Sequence, residues 1–150
     1  MRSPMSLHPA FPIVEGNYRL TREWTIDLPG KFTRRIEDDD LVIWRPGLTF
    51  WIAIWGLEAG KTPEETLAWV LEDASPHRTD EKICRDGLLR LTYRLREQDP
   101  ERDPSCFTAI YGYVFSTSSH VQIAGYCDST EAEVTAEEVI RSLRSLPTGP

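Results

Sequence analysis

Two segments, Thr49–Leu57 and Cys106–Phe115, are apolar on both alternating sets of residues. In the first, Phe50, Ile52 and Ile54 oppose Trp51, Ala53 and Trp55. In the second, Phe107, Ala109, Tyr111, Tyr113 and Phe115 oppose Ile110, Gly112 and Val114. A strand with apolar side chains on both faces needs cover on both faces, which surface strands of a simple meander do not have. The two segments therefore predict central strands of a sheet with helices packed above and below.

The neighbouring patterns supply the rest of the sheet. Tyr18, Leu20, Trp24, Ile26 and Leu28 share one parity and predict a half-buried strand ended by Pro29-Gly30. Phe32, Arg34 and Ile36 suggest a short second strand, and Glu37–Asp40 turns into Leu41–Trp44. Pro46-Gly47 makes the next turn. Strands joined by turns this short must be antiparallel, because a parallel crossover needs about a dozen residues. Further on, Lys82–Arg85 and Leu88–Glu97 flank Asp86-Gly87, the signal of a two-residue hairpin. Asp99–Pro104 reads as a polar loop, and Thr117–Ser119 turns the chain into a strand over His120–Cys127.

Two helices are legible. Thr62-Pro63-Glu64-Glu65 is a capping box with proline at the first helical position, and Leu67, Val70, Leu71 and Ala74 follow on one face until Ser75-Pro76. Thr135–Glu138 repeats the capping pattern before Val139, Ile140 and Leu143, with a start as early as Thr130 also open. The expectation is an α+β fold: an antiparallel sheet of about six to eight strands with helices on both faces. Residues 1–16, with three prolines, read as a flexible N-terminal arm, and 17–150 as a single domain. A domain of this length buries roughly 70% of its unfolded surface and needs no disulfide or metal to hold a core.

Composition narrows the function. Acidic residues number 24 against 17 basic ones, a net charge of −7, which disfavours nucleic acid. The apolar run Phe50–Trp55 is too short for a membrane span, and no leader pattern follows Arg2, so a cytoplasmic location is expected. Cys84, Cys106 and Cys127 form no metal-ligand spacing, and Cys106 and Cys127 read as buried free thiols. No metal or cofactor is expected.

Three motifs imitate chemistry. Gly56–Thr62 resembles a phosphate-binding loop, but only three residues separate the glycines and Pro63 removes a helix N–H. Glu37–Asp40 lacks the alternation of a calcium loop and reads as a solvated turn beside Arg34 and Arg35. Ser118, Ser119 and His120 lack a nucleophile elbow. The chain is accordingly read as no enzyme.

Two groups are candidate partner-binding residues. Arg90, Arg94 and Arg96 share one parity of a strand with Thr92, against Leu89, Leu91, Tyr93 and Leu95 on the other. Guanidinium groups cannot lie unpaired in a core, so that face is open, or covered by acidic residues with which it forms ion pairs. Trp44, Trp51 and Trp55 lie on two successive strands and read as core beneath a helix, or else as interface anchors.

The order of strands, helix, strands and helix resembles the PsbP-like fold superfamily. This fold is shared by photosystem II extrinsic proteins, a Ran-binding nuclear transport factor and bacterial DcrB-like proteins. The residues that carry the likeness are Trp24–Gly30 with Phe32, Gly112–Phe115 before His120-Val121, and Ala136–Leu143. The resemblance spans about residues 18–146 and implies an α/β/α sandwich with a non-enzymatic role. On this basis the expected function is a protein-binding accessory module: an adaptor, chaperone or immunity-like protein. The alternative is a binder of a small apolar or acidic ligand, held between sheet and helix by Trp and Tyr with an Arg at the mouth, and an enzyme with a site assembled from scattered residues ranks third.

Overall fold

The computed structural model describes residues 11–98 and 106–146. The chain folds into β1 (Ile13–Arg19), β2 (Trp24–Glu37), β3 (Asp40–Arg45), β4 (Leu48–Gly56), α1 (Pro63–Asp73), β5 (Thr79–Arg85), β6 (Leu89–Gln98), β7 (Cys106–Phe115), β8 (Ser119–Cys127), α2 (Thr130–Ser142) and β9 (Arg144–Ser145). Eight strands pair in the order β1-β2-β3-β4-β8-β7-β6-β5, every ladder antiparallel, and β9 adds two residues beside β2. The fold is α+β and dominated by its sheet.

The strands break where their turn chemistry dictates. The stretch from Asn17 to Leu28 is a hairpin, not one strand. Thr21 Oγ1 accepts from the N–H groups of Glu23 and Trp24 at 3.1 Å, and this tight turn separates β1 from β2. Pro29-Gly30 does not end β2, because Gly30 takes φ +104° and lets the strand continue to Glu37. Ile13–Gly16, expected in the arm, belong to β1, with Val14 buried against the core. Asp38 and Asp39 adopt φ of 51° and 70°, the left-handed pair of a two-residue hairpin. The β5–β6 loop holds three residues, since Arg85 pairs with Leu89. The expected loop over 99–104 lies outside the described residues.

Both helices start at side-chain caps. Thr62 caps α1: its Oγ1 accepts from the Glu65 N–H and its own N–H donates to the Glu65 carboxylate, while Pro63 occupies the first turn. Helix α2 begins at Ser129, so the Thr135–Glu138 pattern lies inside it and caps nothing. The acidic residues Glu131 and Glu133 in its first turn favour the earlier start through the helix dipole.

The sheet curls about α2. Trp24, Ile26 and Leu28 of β2 meet Val114, Val121 and the α2 stripe of Ala136, Val139, Ile140 and Leu143 in one core. Trp24 Nε1 donates to Ser119 Oγ at 2.7 Å across this curl. On the opposite face α1 sits only over β6 and β7, where Leu67 and Val70 pack on Leu89, Leu91, Tyr93, Tyr113 and Phe115. A helix is roughly 10–12 Å across and strands repeat at about 4.8 Å, so one helix shields only two or three strands. The two-sided helical cover expected from the sequence is therefore partial. Phe50 and Ile52 of β4 are buried against α2, whereas Trp51 and Ala53 on its other face are half-buried and Trp55 is 46% exposed.

Candidate binding cleft

The uncovered part of this second face is bounded by α1. On the helix, Leu67, Val70, Leu71 and Ala74 turn to the sheet, while Glu65, Trp69 and Asp73 recur every fourth residue along the adjoining face. That face and the sheet enclose a cleft of about 680 Å³. Its sheet side presents Trp55 of β4, Tyr93 of β6, Tyr111 and Tyr113 of β7, and His120 and Gln122 of β8. Register produces this set: Tyr93 pairs with Tyr111, Tyr113 with Gln122, and His120 with both Phe115 and Trp55.

The rings stack in a continuous ladder. Tyr93 and Tyr111 lie 5.0 Å apart, Phe115 and His120 5.5 Å, and His120 and Trp55 5.1 Å, each pair nearly parallel. Beyond Trp55 the open face continues as a shallower trough of about 310 Å³ over Trp51, Ala53 and Tyr126. Trp69, 64% exposed, stands at the cleft rim.

The polar groups divide into paired and unpaired. Burial pushes Tyr93 and Tyr113 toward the protonated form, and the two hydroxyls also share a hydrogen bond. His120 is 5% exposed, its Nδ1 is buried without a hydrogen-bond partner, and burial lowers its proton affinity. The neutral imidazole thus serves as one more flat ring. The Ser118/Ser119/His120 triplet is no nucleophile–base pair: the Ser116, Ser118 and Ser119 hydroxyls donate to the Glu23 carboxylate at 2.5–2.9 Å. Burial raises the Glu23 pKa, but these three hydroxyls outweigh it and leave the carboxyl below its ordinary range.

The sequence candidates fall on two faces. Trp44, Trp51 and Trp55 share the open face, since Trp44 pairs with Thr49 and Val42 with Trp51. They do not lie beneath a helix: Trp44 is half-buried, with Phe11 at 5.2 Å and the Arg35 guanidinium at 4.8 Å from its ring. A strand's apolar parity reports low polarity, and a cleft wall satisfies it as well as a core does. Arg90, Arg94 and Arg96 lie on the opposite, α2-bearing face. Arg94 is committed to Glu133 and Glu137 of α2, and Arg90 to Asp86 at 2.8 Å, so the ion-paired version of that strip is the one formed at these two positions. Arginines and tryptophans form no joint site.

The decoys resolve similarly. In the Gly56–Thr62 loop, Thr62 and Glu65 are consumed by the helix cap and Lys61 lines the cleft. Arg35 pairs with Glu37 at 2.6 Å beside the acidic turn. Cys127 is buried, with its thiol pushed up to about 12 by burial, whereas Cys84 is exposed on β5 and the side chain of Cys106 lies outside the described residues. Among the described residues no cluster of His, Cys, Asp or Glu is suited to a metal, and no helix is long and apolar enough to cross a membrane. Trp69, Asp73, Tyr93, Tyr111, Tyr113 and His120 were missed as site residues by sequence reasoning. The available signals were tyrosine at alternate positions of β7 and a tryptophan flanking the apolar stripe of α1.

No family model and no curated protein matches the chain. A solved structure that is similar is a protein of Bacteroides thetaiotaomicron VPI-5482, determined at 1.50 Å resolution, with a TM-score of 0.68 and 12% identity. The match covers 91% of this chain and 50% of the other, so this chain spans about half the length of that protein. A likeness at this identity shows the fold alone.

Proposed function

We propose that the chain is a non-catalytic binding protein that takes a small, largely apolar organic ligand in the cleft between α1 and the sheet. The observation that carries this reading is the cleft itself. At about 680 Å³ it has the size of a small-molecule site, and five of its walls are the rings of Trp55, Trp69, Tyr93, Tyr111 and Tyr113. Aromatic side chains held in stacks give flat apolar contact with little ordering cost on binding. The PsbP-like resemblance implies a non-enzymatic protein-binding role and shares with this reading only its non-catalytic character.

Native mass spectrometry of protein purified without denaturation tests it. The expected result is a retained small molecule, or uptake of the neutral probe N-phenyl-1-naphthylamine at one per chain. Failure of the wild type to hold either, with Trp69→Ala indistinguishable from it, would contradict the reading.

A second reading, the protein-binding module, is favoured by the trough over Trp51 and Tyr126, which extends the open face beyond what a compact ligand fills. In that reading the cleft receives an apolar side chain of the partner, and the aromatic strip, not the arginines, is the docking surface.

A further inference from the structure

The rim of the cleft has a charge balance of its own. Glu58, Glu65 and Asp73 line it against a single Lys61. The Glu65 carboxylate accepts hydrogen bonds from Thr62 in the helix cap, and among the described residues no side-chain hydrogen bond or ion pair engages Asp73. No arginine lines the cleft among the described residues. The Arg78 guanidinium, just beyond α1, donates to Glu81 at 2.6 Å and to the Ser75 carbonyl at 2.9 Å. Asp73, at the end of α1, lines the same cleft as Tyr93 and Tyr113, which puts a carboxylate at the edge of the aromatic floor.

Flat π faces and an uncompensated carboxylate attract the same class of ligand. An organic cation gains the ring quadrupole on its flanks and the carboxylate at its head, whereas an acid meets net repulsion from the rim. From the aromatic walls and the carboxylate rim together, we infer that the ligand of this cleft is an apolar organic ammonium, with its hydrocarbon body against the rings of Trp55, Trp69 and Tyr111 and its charge at Asp73. This rests on the cleft being a ligand site, and it reverses the sign of the acidic ligand and arginine mouth expected from the sequence.

The test is a matched trio sharing one naphthyl body: 2-(1-naphthyl)ethylammonium, 1-naphthaleneethanol and 1-naphthylacetate. Each is titrated into the full chain by calorimetry. The ammonium should bind about tenfold tighter than the alcohol, the order expected when a cation meets an aromatic face and an opposite charge, and the carboxylate should bind weakest. Asp73→Asn should erase most of the ammonium's advantage while leaving the alcohol's affinity within about twofold, as expected when only a charge contact is lost. Equal affinities for all three, or a preference for the carboxylate, would overturn the charge assignment and leave the cleft reading standing. Absence of binding by all three would sink both. The wild-type comparison is decisive even where Asp73→Asn fails to fold.

Discussion

At the scale of single residues, a buried imidazole and a half-buried carboxylate shape the pH behaviour of the fold. His120 is enclosed by Trp55 and Phe115, and an imidazolium there would be a buried charge without a partner. Its folded-state pKa therefore lies below the ordinary 6.5, while the unfolded chain takes up its proton near that value. Between the two, the unfolded state binds the extra proton, so stability is complete above pH ~6.5 and falls as the pH drops through the window below it. Thermal melts should show this loss, and His120→Phe, which keeps the stacked ring, should flatten the slope in that window. Glu23 acts at lower pH, its contribution present above the ordinary carboxylate value of 4.5 and lost as the pH falls through its depressed one. Its carboxylate joins the β1–β2 turn to three serine hydroxyls of the β7–β8 turn, bonds that only the folded chain brings together. Glu23→Ala strands them, and urea unfolding at neutral pH should show a loss of about 2 kcal/mol.

At the scale of elements, the seating of α2 depends on two glycines inside strands. A Cβ on Gly112 would stand 2.5 Å from Ile140 Cγ2 and 3.3 Å from Ile123 Cγ2; one on Gly125 would meet Phe50 at 3.0 Å and Ala136 at 3.1 Å. Gly112→Ala should destabilise by about 1–3 kcal/mol through overpacking. Ile140→Leu removes the β-branch methyl at that contact, so the pair of substitutions should lose less than the sum of the singles, a coupling that chemical denaturation measures directly. Elements of this kind were readable in the sequence where one local rule decides: the Thr62/Glu65 capping box, the turn over Glu37–Asp40, and the apolar stripe of α2. Boundaries went astray where two rules competed. The Tyr18–Leu28 alternation carried straight through a turn stabilised by Thr21, and Gly30 allowed β2 to pass a Pro-Gly pair that usually stops a strand.

At the scale of the whole molecule, the controlling fact is that, among the described residues, two helices of 11 and 13 residues serve a sheet with eight strands in line. The sheet economises by curling around α2, and among the described residues a helix shields the other face only over β6 and β7. Apolarity on both parities of β4 and β7 correctly marked central strands, but it did not distinguish a second face pressed against a helix from one that walls a cleft. Trp51 and Trp55 look alike in the sequence, and only the placement of α1 makes Trp55 a rim residue beside His120 and Tyr111. The arginines were legible as a charged strip, while their partners Glu133 and Glu137 sit some forty positions away on α2. Such pairings come from the strand order, which short-range pattern does not encode.

The central claim, that the aromatic cleft is a ligand site, is tested most directly by the indole N–H signals of the five tryptophans in a nuclear magnetic resonance titration with N-phenyl-1-naphthylamine. The Trp55 and Trp69 signals should move together and saturate at one probe per chain. The Trp24 signal, buried and bonded to Ser119 on the other side of the sheet, should stay in place. Unmoved Trp55 and Trp69 signals at saturating probe, or a shift as large at Trp24, would contradict the account.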